Sequence, residues 1–307
     1  MHKTVLIVSL VAFSSFPCLA EDKESAMPFL GINRDPVTGA MGGASLAWTG
    51  SAAWSSFSNA AVLPFSETAL NVGLSCQNWA PNGTGTSSIN FGGSCKVGGR
   101  MGFSLGLAGQ KGDEYDVFDG GGNAKGKFSP NDFLLNAGAG FRIAARLGMG
   151  LNVRYARQRI SETDQYSAFC GDLFLFCKMS DLGLTAGLSN VGPSIKSGEE
   201  SYPLPAAANA GCSWHKSFLE KHAAVANADF RYFFQGGLSA ALGTQYAFKD
   251  LVFVRAGYHL GGGKSVLPSF ASFGAGVKFA GLHLDIAWLT ANKYLGNSLT
   301  VGLGYSF

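Results

Sequence analysis

Few polar side chains in this 307-residue chain fall where they could act together. His283 and Asp285 stand two residues apart, on one face of an extended segment, and Arg255, His259 and Lys278 share an inward parity on neighbouring segments. A histidine beside a carboxylate is the acid–base half of a hydrolytic site, but such a site also needs an activated nucleophile, and none is singled out. The group reads instead as a luminal polar network, joined by Arg142 and Arg154, that holds another part of the chain. His215 and His222 only flank a short turn. Gly261-Gly262-Gly263-Lys264-Ser265 has Tyr258 where a phosphate loop needs its first glycine, so it reads as an ordinary loop. Asp113, Glu114, Asp116 and Asp119 lack the spacing of a calcium loop and read as a solvated acidic loop. No catalytic residue, cofactor or metal is assigned.

The elements that must position these residues follow from a period of two. Leu299, Val301, Leu303, Tyr305 and Phe307 alternate with Thr300, Gly302, Gly304 and Ser306, and Leu147 to Tyr155 alternate in the same way with Gly148, Gly150, Asn152 and Arg154. One face of each segment is apolar; the other is small or polar. Segments of this kind cover 67–76, 85–95, 99–110, 131–143, 146–160, 167–177, 181–189, 205–215, 221–232, 237–248, 250–260, 269–279, 281–290 and 298–307. That is an even count of fourteen, as single-chain bacterial barrels require. The connections alternate between short turns and mostly longer loops, which places the turns on the periplasmic side and the loops outside. The fold class expected is all-β: a fourteen-stranded antiparallel transmembrane β-barrel with an N-terminal plug segment inside it.

Composition points the same way. Only 14% of residues are charged and 43 are glycine, against about 25% charged and roughly 7% glycine in soluble domains. A disordered chain needs the opposite balance, and a net charge of +3 is too small for a nucleic-acid binder. The competing reading is a secreted β-sandwich, whose outward face would be richer in Lys, Glu and Thr than in glycine. Residues 1–20 read as a secretory signal with cleavage after Ala20; Pro17 ahead of Cys18 does not suit a lipoprotein site. Five cysteines follow (Cys76, Cys95, Cys170, Cys177 and Cys212), an odd count that leaves at least one thiol without an intramolecular partner. Residues 21–66 show no alternation, are apolar and carry five glycines with Trp48 and Trp54. A stretch of roughly 45 such residues is far longer than an ordinary connection, and the lumen of so wide a barrel is a place for it. A flexible periplasmic tail is the other option.

Certain motifs carry a family resemblance. Asp35-Pro36-Val37-Thr38-Gly39-Ala40-Met41-Gly42-Gly43-Ala44-Ser45-Leu46-Ala47 resembles the opening motif of the PorV/PorQ outer-membrane proteins of Bacteroidota, relatives of the FadL transporters. Asn59-Ala60-Ala61-Val62-Leu63 is similar to that family's Asn-Pro-Ala-x-Leu, with Ala60 in place of proline. Gly187 to Pro193, Leu204-Pro205-Ala206 and the ending from Gly274 to Phe307 resemble its mid-barrel and closing strands. The resemblance implies a plug built on Met41, Gly42, Gly43 and Asn59. It also implies a non-enzymatic accessory or scaffold subunit of type IX secretion or outer-membrane protein assembly. The implied surroundings are outer-membrane lipid, lipopolysaccharide and other outer-membrane or surface subunits, without nucleic acid. The alternative is a FadL-like transporter of hydrophobic molecules. A kinked strand or wall opening would favour transport; a purified complex would favour the scaffold.

Overall fold

The computed structural model describes residues 25–79, 85–262, 265–290 and 296–307. The expected secretory leader, and Gly263-Lys264 of the glycine-rich loop, lie outside the described residues. In chain order the strands are β1 (Leu70–Trp79), β2 (Thr86–Val97), β3 (Met101–Gly112), β4 (Tyr115–Phe118), β5 (Ala124–Phe128) and β6 (Asn131–Ala144). Then come β7 (Leu147–Arg159), β8 (Gln165–Lys178), β9 (Leu182–Val191), β10 (Ile195–Ser197), β11 (Glu200–Tyr202) and β12 (Ala207–Phe218). The last six are β13 (His222–Phe233), β14 (Leu238–Phe248), β15 (Val252–Gly262), β16 (Phe270–Phe279), β17 (Leu282–Leu289) and β18 (Ser298–Ser306).

Fourteen of these form one closed antiparallel barrel, and each falls on one of the fourteen alternating segments. Closure comes from β1 pairing with β18, from Asn71↔Ser306 to Asn78↔Leu299. The remaining four strands make two small hairpins, β4–β5 and β10–β11, inside the long loops. Several short turns have two consecutive residues at positive φ: Leu219-Glu220 (50° and 55°), Lys249-Asp250 (56° and 52°) and Ala280-Gly281 (50° and 83°). This is the turn geometry whose twist matches that of the flanking strands.

The side-chain period sorts the wall into two surfaces. Outward stand Leu74, Leu151, Val254, Leu284 and Leu303, each about half exposed, while inward Asn90, Asn136 and Ser272 are fully buried. An apolar belt around a polar interior is the inverse of a water-soluble protein and suits a lipid surround. No helix among the described residues is long and apolar enough to cross a membrane.

The interior is filled by the residues before β1. They form a 3-10 turn at Pro28–Gly31, the single-turn helix α1 (Pro36–Gly39), and 3-10 helices at Ala52–Phe57 and Ala60–Phe65. The segment starts at the long-loop end, where the Ala26 N–H donates to the Pro203 carbonyl at 2.8 Å and Met27 and Phe29 pack on Leu134, Ala156 and Ala168. It ends at the short-turn end, where Phe65 meets Phe176 edge-on at 5.3 Å. The glycine excess has its cause here. A Cβ on Gly243 or Gly257 would overlap the backbone of Met41, and one on Gly140 or Gly150 would overlap that of Ala60 or Ala61. Close backbone approach requires glycine at these wall positions.

Candidate functional site: the filled lumen

The inner segment is shaped by its own short-range bonds and tied to the wall by longer-range ones. Asp35 caps α1: its carboxylate accepts the Val37 N–H at 2.9 Å and the hydroxyls of Thr38 at 2.8 Å and Ser51 at 2.6 Å. Pro36 at the first helical position needs no partner for a missing N–H. Gly42 and Gly43 follow with φ of 70° and 82°, and the Gly43 N–H returns to the Thr38 carbonyl at 2.9 Å. That reversal presents the Gly42 N–H to the Ser272 hydroxyl at 2.8 Å and buries Met41 completely. Asn59 is equally buried. Its oxygen accepts the Ala61 N–H at 2.8 Å, and its amide donates to the Leu46 carbonyl at 2.7 Å and to Thr185 at 3.0 Å. Asn59 thus starts one inner helix and ties it to the wall, with Ala60 in the place where the resemblance has proline.

The inward charged residues do not form one network; they fall into separate clusters. Arg154 on β7 pairs with Asp172 on β8, and also donates to Asn190 at 3.1 Å and to the Phe57 carbonyl of the inner segment at 3.1 Å. Asp172 in turn accepts the Asn190 N–H at 2.8 Å and the Asn152 amide at 3.1 Å. Arg255 pairs with Asp285 at 2.6 Å and donates to Gln245 at 2.6 Å, a cluster within the wall. His259 approaches the Gly42 carbonyl at 3.3 Å and stacks on Phe270, with its Nε2 buried and unpartnered. Arg142 donates to the Pro64 carbonyl at 2.8 Å and covers the Phe65 ring at 4.4 Å. Lys278 pairs with Asp250 in a turn at 2.7 Å, and lines the short-turn vestibule together with Arg255, His283 and Asp285. His283, the neighbour of Asp285 in sequence, has a buried Nε2 without a partner. Nothing in these clusters sets a nucleophile beside a base.

Three residues with larger roles lay outside the expected set. Asp172 is one. Asp229 on β13 accepts the N–H groups of Ser45 at 2.7 Å and Leu46 at 3.0 Å, and Arg34 donates to the carbonyls of Ile32 at 2.8 Å and Phe29 at 3.0 Å. Inward parity on β8 and β13 was the available signal for the two aspartates.

The acidic loop holds no candidate metal cluster among the described residues. The Asn123 N–H, its side-chain amide and the Gly121 N–H bond to Asp119 and hold its carboxyl below the usual carboxylate range. The five cysteines among the described residues are free, and Cys170 and Cys177 lie on one strand, too far apart to bridge.

Between the inner segment and the wall, on the long-loop side, lies a cavity of about 80 Å³ lined by Arg34, Trp54, Phe57, Arg231, His259 and Phe270. A smaller one of about 40 Å³ shares Phe57, Arg231 and His259 and reaches Arg154 and Asn190. There β9 is irregular: Leu173 faces Leu188 but Gly171 faces Val191, and Asn190 has φ of 54°. An extra residue of this kind bends a strand. At the short-turn end a wider vestibule of about 460 Å³ is lined by Trp48, Phe253, Arg255, His283 and Asp285.

No family model matches the chain, and no curated protein sequence does. Solved structures do. The toluene transporter TbuX of Ralstonia pickettii superposes with a TM-score of 0.59 at 14% identity, covering 89% of this chain and 98% of that one. The toluene transporter TodX of Pseudomonas putida gives 0.60 at 15%, covering 88% and 97%. The monoaromatic hydrocarbon channel CymD gives 0.58 at 13%, covering 90% and 98%. At such identities the likeness is one of architecture: the chain has the FadL-like fold, a fourteen-stranded β-barrel of the outer-membrane type whose lumen holds its own N-terminal segment.

Proposed function

We propose that this protein is an outer-membrane channel for small hydrophobic molecules, closed at rest by residues 25–66. The observation that carries the reading is the cavity beneath the long loops. Trp54, Phe57 and Phe270 give it aromatic walls, and much of its lining belongs to residues 30–62 of the inner segment. The smaller cavity that shares Phe57, Arg231 and His259 with it reaches the irregular stretch of β9 at Asn190. The shared fold with toluene and monoaromatic-hydrocarbon transporters supports the same class of solute. Size decides how passage works. A dry cavity of about 150 Å³ holds benzene, whereas this one measures about 80 Å³. The solute enters only when the segment shifts.

The test is uptake of a neutral aromatic dye into cells whose outer membrane otherwise excludes it. Cells carrying the protein take up the dye several-fold faster than cells carrying the empty vector. Equal rates, with the folded barrel present in the outer membrane, would sink the transport reading.

The same cavity size favours a second reading. A barrel whose segment never shifts is a closed scaffold, and the likeness of residues 35–47 and 187–193 to PorV/PorQ proteins supports an accessory subunit of type IX secretion or outer-membrane assembly. That reading expects stable protein partners in mild-detergent purification and no gain in dye uptake.

A further inference from the structure

The outer wall carries a cluster at its short-turn end that the lumen does not use. Across β12, β13 and β14 the register sets Phe218, His222 and Phe248 in one row and Lys216, Ala224 and Tyr246 in the next, all on the outward face. His222 stacks on Phe218 (centroids 5.8 Å apart, planes at 16°) and lies 5.3 Å from the Phe248 ring. Its Nδ1 is 2.6 Å from the Tyr246 hydroxyl. The Lys249 ammonium lies 5.4 Å from the Phe248 ring centre, and Lys221 occupies the turn before β13. Lys216, Lys221 and Lys249 are exposed. Of the carboxylates in these two turns, Asp250 is held by Lys278, which leaves Glu220. The local charge is positive.

The second row carries only a methyl at its middle, a dent by side-chain size. Ala224 separates Lys216 from Tyr246, and Ala226 and Ala228 follow it along β13, between Trp214 and Thr244 and between Cys212 and Leu242. Directly opposed residues have Cβ atoms about 5 Å apart, so a group over Ala224 is within reach of the lysine on one side and the phenol on the other.

We propose that this dent binds one anionic phospholipid from the leaflet at the short-turn end, its phosphate over Ala224 and an acyl chain along Ala226 and Ala228. The proposal rests on the membrane reading above. Charge complementarity selects an anionic partner. The position of the cluster selects a lipid, because these side chains share the outward parity of the apolar belt and sit at its edge. Tyrosine and tryptophan favour that depth, and a lysine stem can lie along apolar surface while its ammonium stays among headgroups.

The probe is the purified full-length barrel in detergent, titrated with phosphatidylglycerol or phosphatidylcholine and read by native mass spectrometry. One phosphatidylglycerol is expected to stay bound at collision energies that strip phosphatidylcholine. Lys216→Gln/Lys221→Gln/Lys249→Gln lowers its retention at least tenfold. Ala224→Trp, which keeps every charge and fills the dent, lowers it as well. Arg100→Gln/Arg146→Gln, in turns elsewhere on the rim, leaves it unchanged. Heat-dependent migration on gels confirms that each variant is a closed barrel. The proposal is overturned if both lipids are held alike, if Ala224→Trp retains the lipid, or if the Arg100/Arg146 variant loses it equally. A barrel that fails to insert into phosphatidylcholine vesicles overturns the membrane reading itself, and the site with it.

Discussion

Replacing Asp172 by alanine lowers the unfolding free energy of the barrel by about 3–5 kcal/mol, the usual cost of leaving a buried partner charge uncompensated. Arg154 and Asp172 are 4% and 0% exposed at their side chains. The Asp172 carboxylate is also an acceptor for Asn152 and for the Asn190 N–H at the irregular point of β9. Alanine therefore strands a guanidinium and two donors at once. Asp172→Asn keeps an acceptor for Asn190 and costs less. The double variant Arg154→Met/Asp172→Leu removes both charges, yet still abandons Asn190 and the Phe57 carbonyl, so it falls between the single variants and the native protein. Urea unfolding followed by tryptophan fluorescence reads all three. If Asp172→Ala unfolds at the native midpoint, the cluster is not what fastens β7, β8 and the inner segment together.

How much of this was legible before the fold was known depends on the length of each alternating run. The fourteen wall strands, eight residues long or more, declare themselves because lipid and a filled lumen demand opposite residue types on successive positions. The β4–β5 and β10–β11 hairpins have three to five residues per strand and mostly solvent-exposed side chains, so no alternation marks them. Parity also identified Arg154, Arg255, His259 and Asp285 as inward. It could not say which would meet, because partners on adjacent strands depend on register, and register is invisible in the sequence alone. Lys278 shows a second limit. It has the inward parity but sits one residue from the end of its strand, where its long stem reaches the turn and Asp250. The glycines gave the strongest hint of the interior, since a wall stripped of side chains needs something else to fill the space.

Gly257→Val opens the barrel. A side chain at 257 enters the backbone of Met41 and Gly42, which cannot yield without giving up the Gly42 bonds to Ser272 and His259. Overpacking of this kind costs about 1–3 kcal/mol, less than disrupting a closed antiparallel wall, so the segment moves rather than the strand. The emptied lumen of so wide a barrel admits water. Planar-bilayer recordings are expected to show ionic conductance for Gly257→Val, and none for the native protein or for Ala256→Val, which places the same side chain on the outward face. A non-conducting Gly257→Val barrel of native stability would mean that the wall is not keyed to the segment.

The central claim is that solutes pass only when the start of the inner segment leaves its seat, and a reversible lock tests it most directly. A Cβ on Gly31 would lie 3.4 Å from the Val266 Cβ, just under the roughly 3.5–4.5 Å spacing of disulfides, so a small outward shift of the loop suits the bond. Gly31→Cys/Val266→Cys therefore bridges the segment to the loop between β15 and β16, and no native cysteine lies on residues 25–66. With the bridge formed, uptake of the aromatic dye should fall to the empty-vector rate, and a membrane-permeant reductant should restore it. Uptake as fast with the bridge intact as after reduction would contradict the account.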